Sequence, residues 1–328
     1  MKVKYTKNFL KYISLIRQNK VKFFVFDGLD GSGKGVLSKL LSQYLLNYYD
    51  VVYVELPDYS SPIGQNIKQM LNLSTHNLNL NQTMALFALN RLEILPSLIL
   101  AVLDLYQQNR NKNICIVFDR FCTSNILTMA YKYSKLFSHI KIDGTSIKQD
   151  FIVDTIDKFY SLDRVYLDFL DMLSLDRYFL KLLKFDQKAP IFIPLITPEQ
   201  AIQRIKKDTS RDVIDKYENI LVQSIASFLY SCFLEKFNKF NTKLLHQEDK
   251  DPEQISKELI YMIDLSIHHK DDFSKSKTRL INLSYSSLDL LGLKDLYNQE
   301  FKLVSSLIFY INKVFSLNFS STIYEAVS

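Results

Sequence analysis

The segment Gly28-Leu29-Asp30-Gly31-Ser32-Gly33-Lys34 concentrates the residue types that bind phosphate. It reads G-x-x-x-x-G-K, follows the apolar run Phe23–Phe26 and opens a helical pattern at Gly35 and Val36. That strand–loop–helix setting is what gives the motif its meaning. In such a loop successive backbone N–H groups converge on one anion. The helix end behind it adds partial positive charge, and Lys34 reaches the outer phosphates as a point charge. The chain has only seven glycines, and four of them (Gly28, Gly31, Gly33, Gly35) fall within eight residues. A chain so poor in glycine keeps it where other residues fit badly. Position 35 is glycine where the common loop carries a Ser or Thr that ligates Mg²⁺. Mg²⁺ remains compatible, because it keeps several waters and is held through them and the substrate phosphates.

Further short patterns point to a second ligand beside the first. Asp30 lies inside the phosphate loop. Pro57 and Tyr59 belong to Glu55-Leu56-Pro57-Asp58-Tyr59-Ser60-Ser61-Pro62-Ile63-Gly64. Phe87-Ala88-Leu89-Asn90-Arg91 puts Phe87 and Arg91 on one helix face. Asp119-Arg120-Phe121 ends a strand, where open α/β sheets place their ligands. Ser124 and Thr128 follow on the next helix. A basic run, Arg204–Arg211 with Lys206 and Lys207, precedes Asp215-Lys216-Tyr217-Glu218-Asn219. Phosphoryl transfer needs charge neutralised on non-bridging oxygens and two phosphates held in line, and little covalent chemistry from the protein. Lys34 and Arg120 supply positive charge on either side of such a line.

Elements of the right kind surround these residues. Phe23–Phe26, Val51–Glu55, Ile114–Asp119, Ile191–Ile196 and Thr242–His246 read as strands buried in a parallel sheet. Val36–Tyr49, Ile63–Leu71, Gln82–Gln108, Thr123–Phe137 and Pro198–Lys207 read as helices. The alternation predicts an α/β fold with right-handed crossovers. Lys141–Ala189 is long, mixed and helical in pattern. The first 22 residues carry seven Lys/Arg and no acid, and read as a basic amphipathic helix. We divide the chain into 1–20 (the basic N-terminal helix), 21–268 (the phosphate-loop domain) and 269–328 (an extension of unassigned role). Leu288–Phe315 in that extension suggests two helices.

Composition bounds the rest. The 328 residues are 47% hydrophobic and 23% charged, which excludes a long disordered chain. The net charge of +6 is interspersed with acids and favours anionic partners without demanding nucleic acid. Ile94–Leu103 is the longest apolar run, short of the roughly 20 residues of a bilayer span. Cys115, Cys122 and Cys232 form neither a metal signature nor a disulfide framework, which fits a reducing, cytoplasmic setting. His246, His268 and His269 read as surface histidines without chemistry.

In the order G-L-D-G-S-G-K, F-x-x-N-R and D-R-F, from about Lys22 to Ile263, the chain resembles thymidylate kinases. These are nucleoside monophosphate kinases of the phosphate-loop fold. The resemblance implies a three-layer α/β core of strand order 2-3-1-4-5, with a helical C-terminal extension added here. It implies transfer of the γ-phosphoryl of ATP to dTMP with Mg²⁺, and nucleotide partners. It further implies Phe87 stacked on the base, Arg91 on its carbonyl, Arg120 on the acceptor phosphate and Asp30 near the sugar hydroxyl and the transferring phosphate. Asp119 would act on Mg²⁺ through water. Gly28 to Val36 would cradle ATP, and Arg204–Arg211 would form a lid supplying Arg211, Arg204 or Lys207. Members are commonly homodimers, and the helices Gln82–Gln108 and Thr123–Phe137 could offer such an interface.

The chain departs from the family in three places. Asp58-Tyr59 stands where an arginine is usual, Thr128-Met129 where a base-reading glutamine is usual, and Lys216 where the lid usually has arginine. Two other functions are therefore carried beside the first. One is a related kinase with another nucleoside monophosphate or a deoxynucleoside as acceptor, for which Glu55 would be the base. The other is a nucleotide-binding protein that has lost transfer and acts through its tail.

Overall fold

The computed structural model describes residues 7–72, 78–137, 148–185, 189–208, 215–236, 241–247, 250, 252–266 and 278–284. Six short strands align in one parallel sheet: β1 (Val21–Phe26), β2 (Asp50–Glu55), β3 (Ile114–Asp119), β4 (Pro190–Leu195), β5 (Asn241–His246) and β6 (Leu280–Leu283). Their order is β5-β4-β1-β3-β2-β6, so the expected 2-3-1-4-5 core is present and carries one more strand at the β2 edge. β6 pairs in parallel with β2, with Tyr53 opposite Asn282, and the Arg279 amide donates to Asp50 Oδ1 at 2.9 Å. The described part of the extension is thus a strand, where a helical extension was expected. The helices expected in Leu288–Phe315 lie outside the described residues.

Side chains alternate across this sheet, and each face acquires its own helical layer. Phe24, Phe26, Val51 and Val117 pack on α2 (Lys34–Leu45) and α9 (Pro252–Ser266). Phe23, Val25, Val52, Val54 and Ile116 pack on the opposite layer. That layer holds α1 (Lys7–Arg17), α3 (Pro62–Asn72), α4 (Leu80–Gln108), α5 (Asn125–Ser134), α6 (Gln149–Leu183) and α8 (Ile220–Lys236). The remaining helix, α7 (Pro198–Lys207), starts with a capping box between Thr197 and Gln200.

Three helices add detail to these expectations. The basic N-terminal helix docks by its apolar face: Phe9, Tyr12 and Leu15 are buried, and the Tyr12 hydroxyl donates to the Leu183 carbonyl at 2.9 Å. α4 runs straight through Pro96, with an apolar stretch long enough for a membrane span, yet 83% of that stretch is buried inside the fold. α4 and α5 were the expected dimer faces, but Leu98–Leu103 and Asn125–Ala130 are already covered within one chain. α8 and α9 were not anticipated.

α4 also sets the loop after β2. Asn90 accepts from the Asp58 amide at 2.9 Å and donates to Ser61 Oγ at 2.8 Å. Glu93 accepts the Ile63 amide at 3.2 Å, at the first turn of α3. Gly64 is required next to this clasp, because a Cβ there would sit 1.8 Å from the Asp58 carbonyl oxygen. Burial pushes the Glu93 carboxyl up from 4.5 to about 7, against the hydrogen bonds from Ser61, Ile63 and Asn90. The folded chain therefore keeps a proton that the unfolded chain has released, and stability falls as pH rises from 4.5 to about 7. Glu93→Gln is expected to remove that part of the pH dependence, a change of about 3 kcal/mol over the window, read by urea unfolding at pH steps.

Candidate active site

The register of the sheet brings the functional strand ends level. Phe26 and Glu55 both stand opposite Asp119, so the phosphate loop, the Asp119-Arg120 pair and the loop after Glu55 emerge side by side. Gly28, Gly31 and Gly33 take positive φ, which curls the loop as its motif requires. The residue before it, Asp27, is fully buried. Its carboxylate accepts from the Gly28 amide at 2.9 Å, Ser124 Oγ at 2.5 Å, Tyr230 Oη at 3.0 Å and Thr123 Oγ1.

Lys34 does not project from a solvated loop. It is buried, its Nζ donates to the Leu29 carbonyl at 2.8 Å, and it lies 3.4 Å from Asp30 Oδ1. Burial holds its pKa below the usual lysine value, assisted by Arg120 and opposed by Asp30. Arg120 sits at positive φ, unusual for a non-glycine residue, and its Nη2 meets Asp30 Oδ1 at 2.5 Å. Burial alone would raise the Asp30 pKa, but Arg120 and Lys34 hold the carboxyl well below the usual range. Asp30, Lys34 and Arg120 thus form one charged cluster at the mouth of the loop.

Two cavities meet at that cluster. The larger, about 570 Å³, is lined by Gly31, Gly33, Lys34, Gly35, Val36, Lys39, Glu55, Asp119, Arg120, Arg204, Ile205 and Asp208. Asp119 Oδ2 accepts from the Tyr53 hydroxyl at 3.2 Å, while Oδ1 is buried without a hydrogen-bond partner. Gly35 has a spatial reason: a Cβ there would stand 2.9 Å from Asp119 Oδ2. Among the described residues no cluster of three or more His, Cys, Asp or Glu could cage a metal. An unpaired carboxylate oxygen next to a phosphate loop fits a hard cation held through waters and phosphates. Glu55 joins the same wall, its pKa raised by burial and by Asp119.

The smaller cavity, about 50 Å³, lies across Arg120. Asp30, Pro57, Tyr59, Phe87, Arg91, Arg120, Ser124, Thr128, Asp215 and Tyr217 are among its walls. Most of the expected acceptor residues are therefore brought together, but with commitments of their own. Arg91 spends Nε and Nη2 on Asp176 at 2.6 and 2.7 Å, a buried bidentate pair that leaves Nη1 for a ligand. The Ser124 hydroxyl is engaged with Asp27. Tyr59 is 39% exposed and reaches both this cavity and a neighbouring one beside β6.

The basic residues expected to form a lid divide. Arg204 lines the larger cavity and its Nη1 donates to Gln247 Oε1 at 2.7 Å. Lys207 is exposed and lines neither cavity, and Arg211 lies outside the described residues. Lys216 is tied to the Met70 carbonyl at 2.8 Å and lies over the Tyr131 and Tyr217 rings, so it braces α3 rather than the lid. Two residues of the site gave no sequence signal. Gln247 also donates to the Ser32 carbonyl at 2.7 Å. Gln223 accepts from the Asp30 amide at 3.2 Å and donates to the Tyr217 carbonyl at 2.9 Å.

The chain is similar to known proteins in this same region. The family model "Thymidylate kinase" matches residues 26–163. A thymidylate kinase of Plasmodium falciparum is 36% identical over 111 residues, which are 33% of this chain and 48% of that protein. One of Schizosaccharomyces pombe is 31% identical over 117 residues, 35% of this chain and 51% of that protein. The chain spans about half the length of the curated relatives it matches. The solved thymidylate kinase of Candida albicans aligns with a TM-score of 0.43 at 20% identity, covering 75% of this chain and 92% of that one. Residues 26–163, where the phosphate loop, the Phe87–Arg91 face and the Asp119–Arg120 strand end lie, are thus the part of the chain that is similar to thymidylate kinases.

Proposed function

We propose that this chain transfers the γ-phosphoryl group of ATP to dTMP. The observation that carries the reading is the position of Arg120, which walls both cavities and stands beside Lys34 and Asp30. Donor and acceptor phosphates bound on its two sides would face each other across one fixed cation. In phosphoryl transfer, positioning and charge neutralisation account for most of the catalysis.

ATP phosphates take the 570 Å³ cavity, with Gly28 to Val36 as the cradle and Lys34 as the internal cation. Arg204, held by Gln247, closes the same wall and is the cation of the basic run that we assign to the ATP phosphates. Asp119 would hold Mg²⁺ through the ion's own waters, and the ion would supply charge neutralisation at the phosphates. The base lies against Phe87 with its carbonyl toward Arg91, whose free Nη1 is a donor suited to an oxo group rather than an amino group. Pro57, Tyr59, Ser124 and Thr128 frame the nucleotide. Asp30 orients the sugar and, with no acceptor bound, accepts Arg120 in place of a phosphate. A cavity of about 50 Å³ is far smaller than a nucleotide site of roughly 300 Å³ or more, so acceptor binding displaces Arg120 from Asp30 and opens the pocket. The three free cysteines suit a reducing cytoplasm.

The direct test is ADP release from Mg·ATP with dTMP, dUMP, dGMP, AMP, CMP and thymidine. Turnover confined to dTMP, with weaker dUMP, is expected. Preference for thymidine would transfer the base role to Glu55, and preference for another monophosphate would overturn the acceptor assignment.

Two variants follow from the cluster geometry. Lys34→Ala is expected to lower kcat by about 10³-fold, since it removes a cation fixed at the transferring group. Arg120→Ala is expected to raise the acceptor KM and depress kcat together, losing about 10²–10³-fold in kcat/KM, because its phosphate contact persists into the transition state. Steady-state kinetics with varied dTMP reads both.

A further inference from the structure

Tyr53 lies within β2, two residues before its C-terminal Glu55, at a strand position that reads as core. It is nearly buried, but its hydroxyl does not end in apolar surroundings. Tyr53 Oη donates to Asp119 Oδ2 at 3.2 Å and lies 3.3 Å from Ser38 Oγ, on the α2 face of the sheet. Ser38 Oγ also lies 3.1 Å from the Gly35 carbonyl, and its single proton goes either to that carbonyl or to the phenol. A short chain of hydroxyls therefore runs from the first turn of the phosphate-loop helix to the carboxylate at the end of β3.

The chain passes the one loop position where a Ser or Thr hydroxyl is usual. Gly35 has no side chain, and the space its Cβ would need is taken by Asp119 Oδ2, 2.9 Å away. The carboxylate thus approaches the loop more closely than a side chain at position 35 would permit. Its Oδ1 is left without a protein partner. A carboxylate pinned at one oxygen and unpaired at the other has the form of an oriented outer-sphere ligand.

We propose that Tyr53 is a positioning residue for Asp119: its phenol anchors Oδ2 so that the carboxylate is held toward the hydrated cation of Mg·ATP, in a loop that lacks its own ligating hydroxyl. The inference rests on reading the 570 Å³ cavity as the donor site. β6 supports the same residue from behind, pairing Asn282 with Tyr53 across the sheet. The extension therefore bears on the metal side of the site through β2.

The readout is the effect of Mg²⁺ on ATP affinity, by titration calorimetry on the full chain with EDTA and with excess Mg²⁺. Tyr53→Phe keeps the ring and deletes the donor. Mg²⁺ is expected to enhance ATP binding about tenfold less in this variant than in the wild type, with metal-free ATP affinity unchanged. An unchanged enhancement overturns the proposal. So does a parallel loss of metal-free affinity, which would assign Tyr53 to the shape of the loop. Should Tyr53→Phe fail to fold, Ser38→Ala leaves the phenol in place but removes its second partner. A smaller loss of the same kind is then expected, and no loss overturns the idea. Lys34→Ala measured alongside keeps the two readings apart. Wild-type affinity for metal-free ATP in that variant would remove the donor site itself, whereas weak binding there with undiminished Mg²⁺ enhancement in Tyr53→Phe would remove only the role of Tyr53.

Discussion

The carboxylate of Asp27 ties together stretches of chain about 200 residues apart. It receives hydrogen bonds from the start of the phosphate loop, from the turn that opens α5 and from α8. Burial raises its pKa, while Ser124, Thr123 and the Gly28 amide act in the opposite direction. Such a group is costly when unpaired, and its value lies in the geometry its partners share. Ser124 walls the smaller cavity, and Gly28 begins the phosphate loop. The spacing between the two proposed ligands is therefore set by one small, fully satisfied acceptor.

The charged cluster in front of Asp27 works differently. Asp30 pairs with both Lys34 and Arg120, so each of the two cations has an anionic neighbour without ligand. Arg91 and Asp176 form a matched ion pair at the wall of the smaller cavity. A phosphate that replaces Asp30 as the partner of Arg120 exchanges one anion for another, which keeps the electrostatic cost of opening the pocket small. Arg120 holds a strained backbone conformation at the end of a buried strand, and such positions cluster at sites of this kind.

Much of this was legible because the signals were local. Phe23–Phe26, Val51–Glu55 and Ile114–Asp119 are apolar on both faces, as strands covered by two helical layers must be. The phosphate loop announced itself through glycine scarcity. What escaped was pairing across long separations. Nothing near Arg91 points to Asp176, 85 residues away, so it reads as a base contact only. Gln223 and Gln247 are single polar residues whose role comes from the loop they reach. α8 was missed because Ile220–Phe233 is apolar on nearly all sides and shows no stripe. Tyr53 hid among core residues, since nothing in a strand pattern tells which buried hydroxyl has work to do.

The added strand β6 has one more effect, on how the molecule meets its neighbours in solution. In a five-stranded sheet β2 would be the rim, and its Val51-Val52-Tyr53-Val54 backbone would be open to another chain's strand. β6 occupies those hydrogen-bonding groups along the register Val51–Val54 and ends after only four residues. A long, β-branched rim, the kind that templates self-association, is exchanged for a short one.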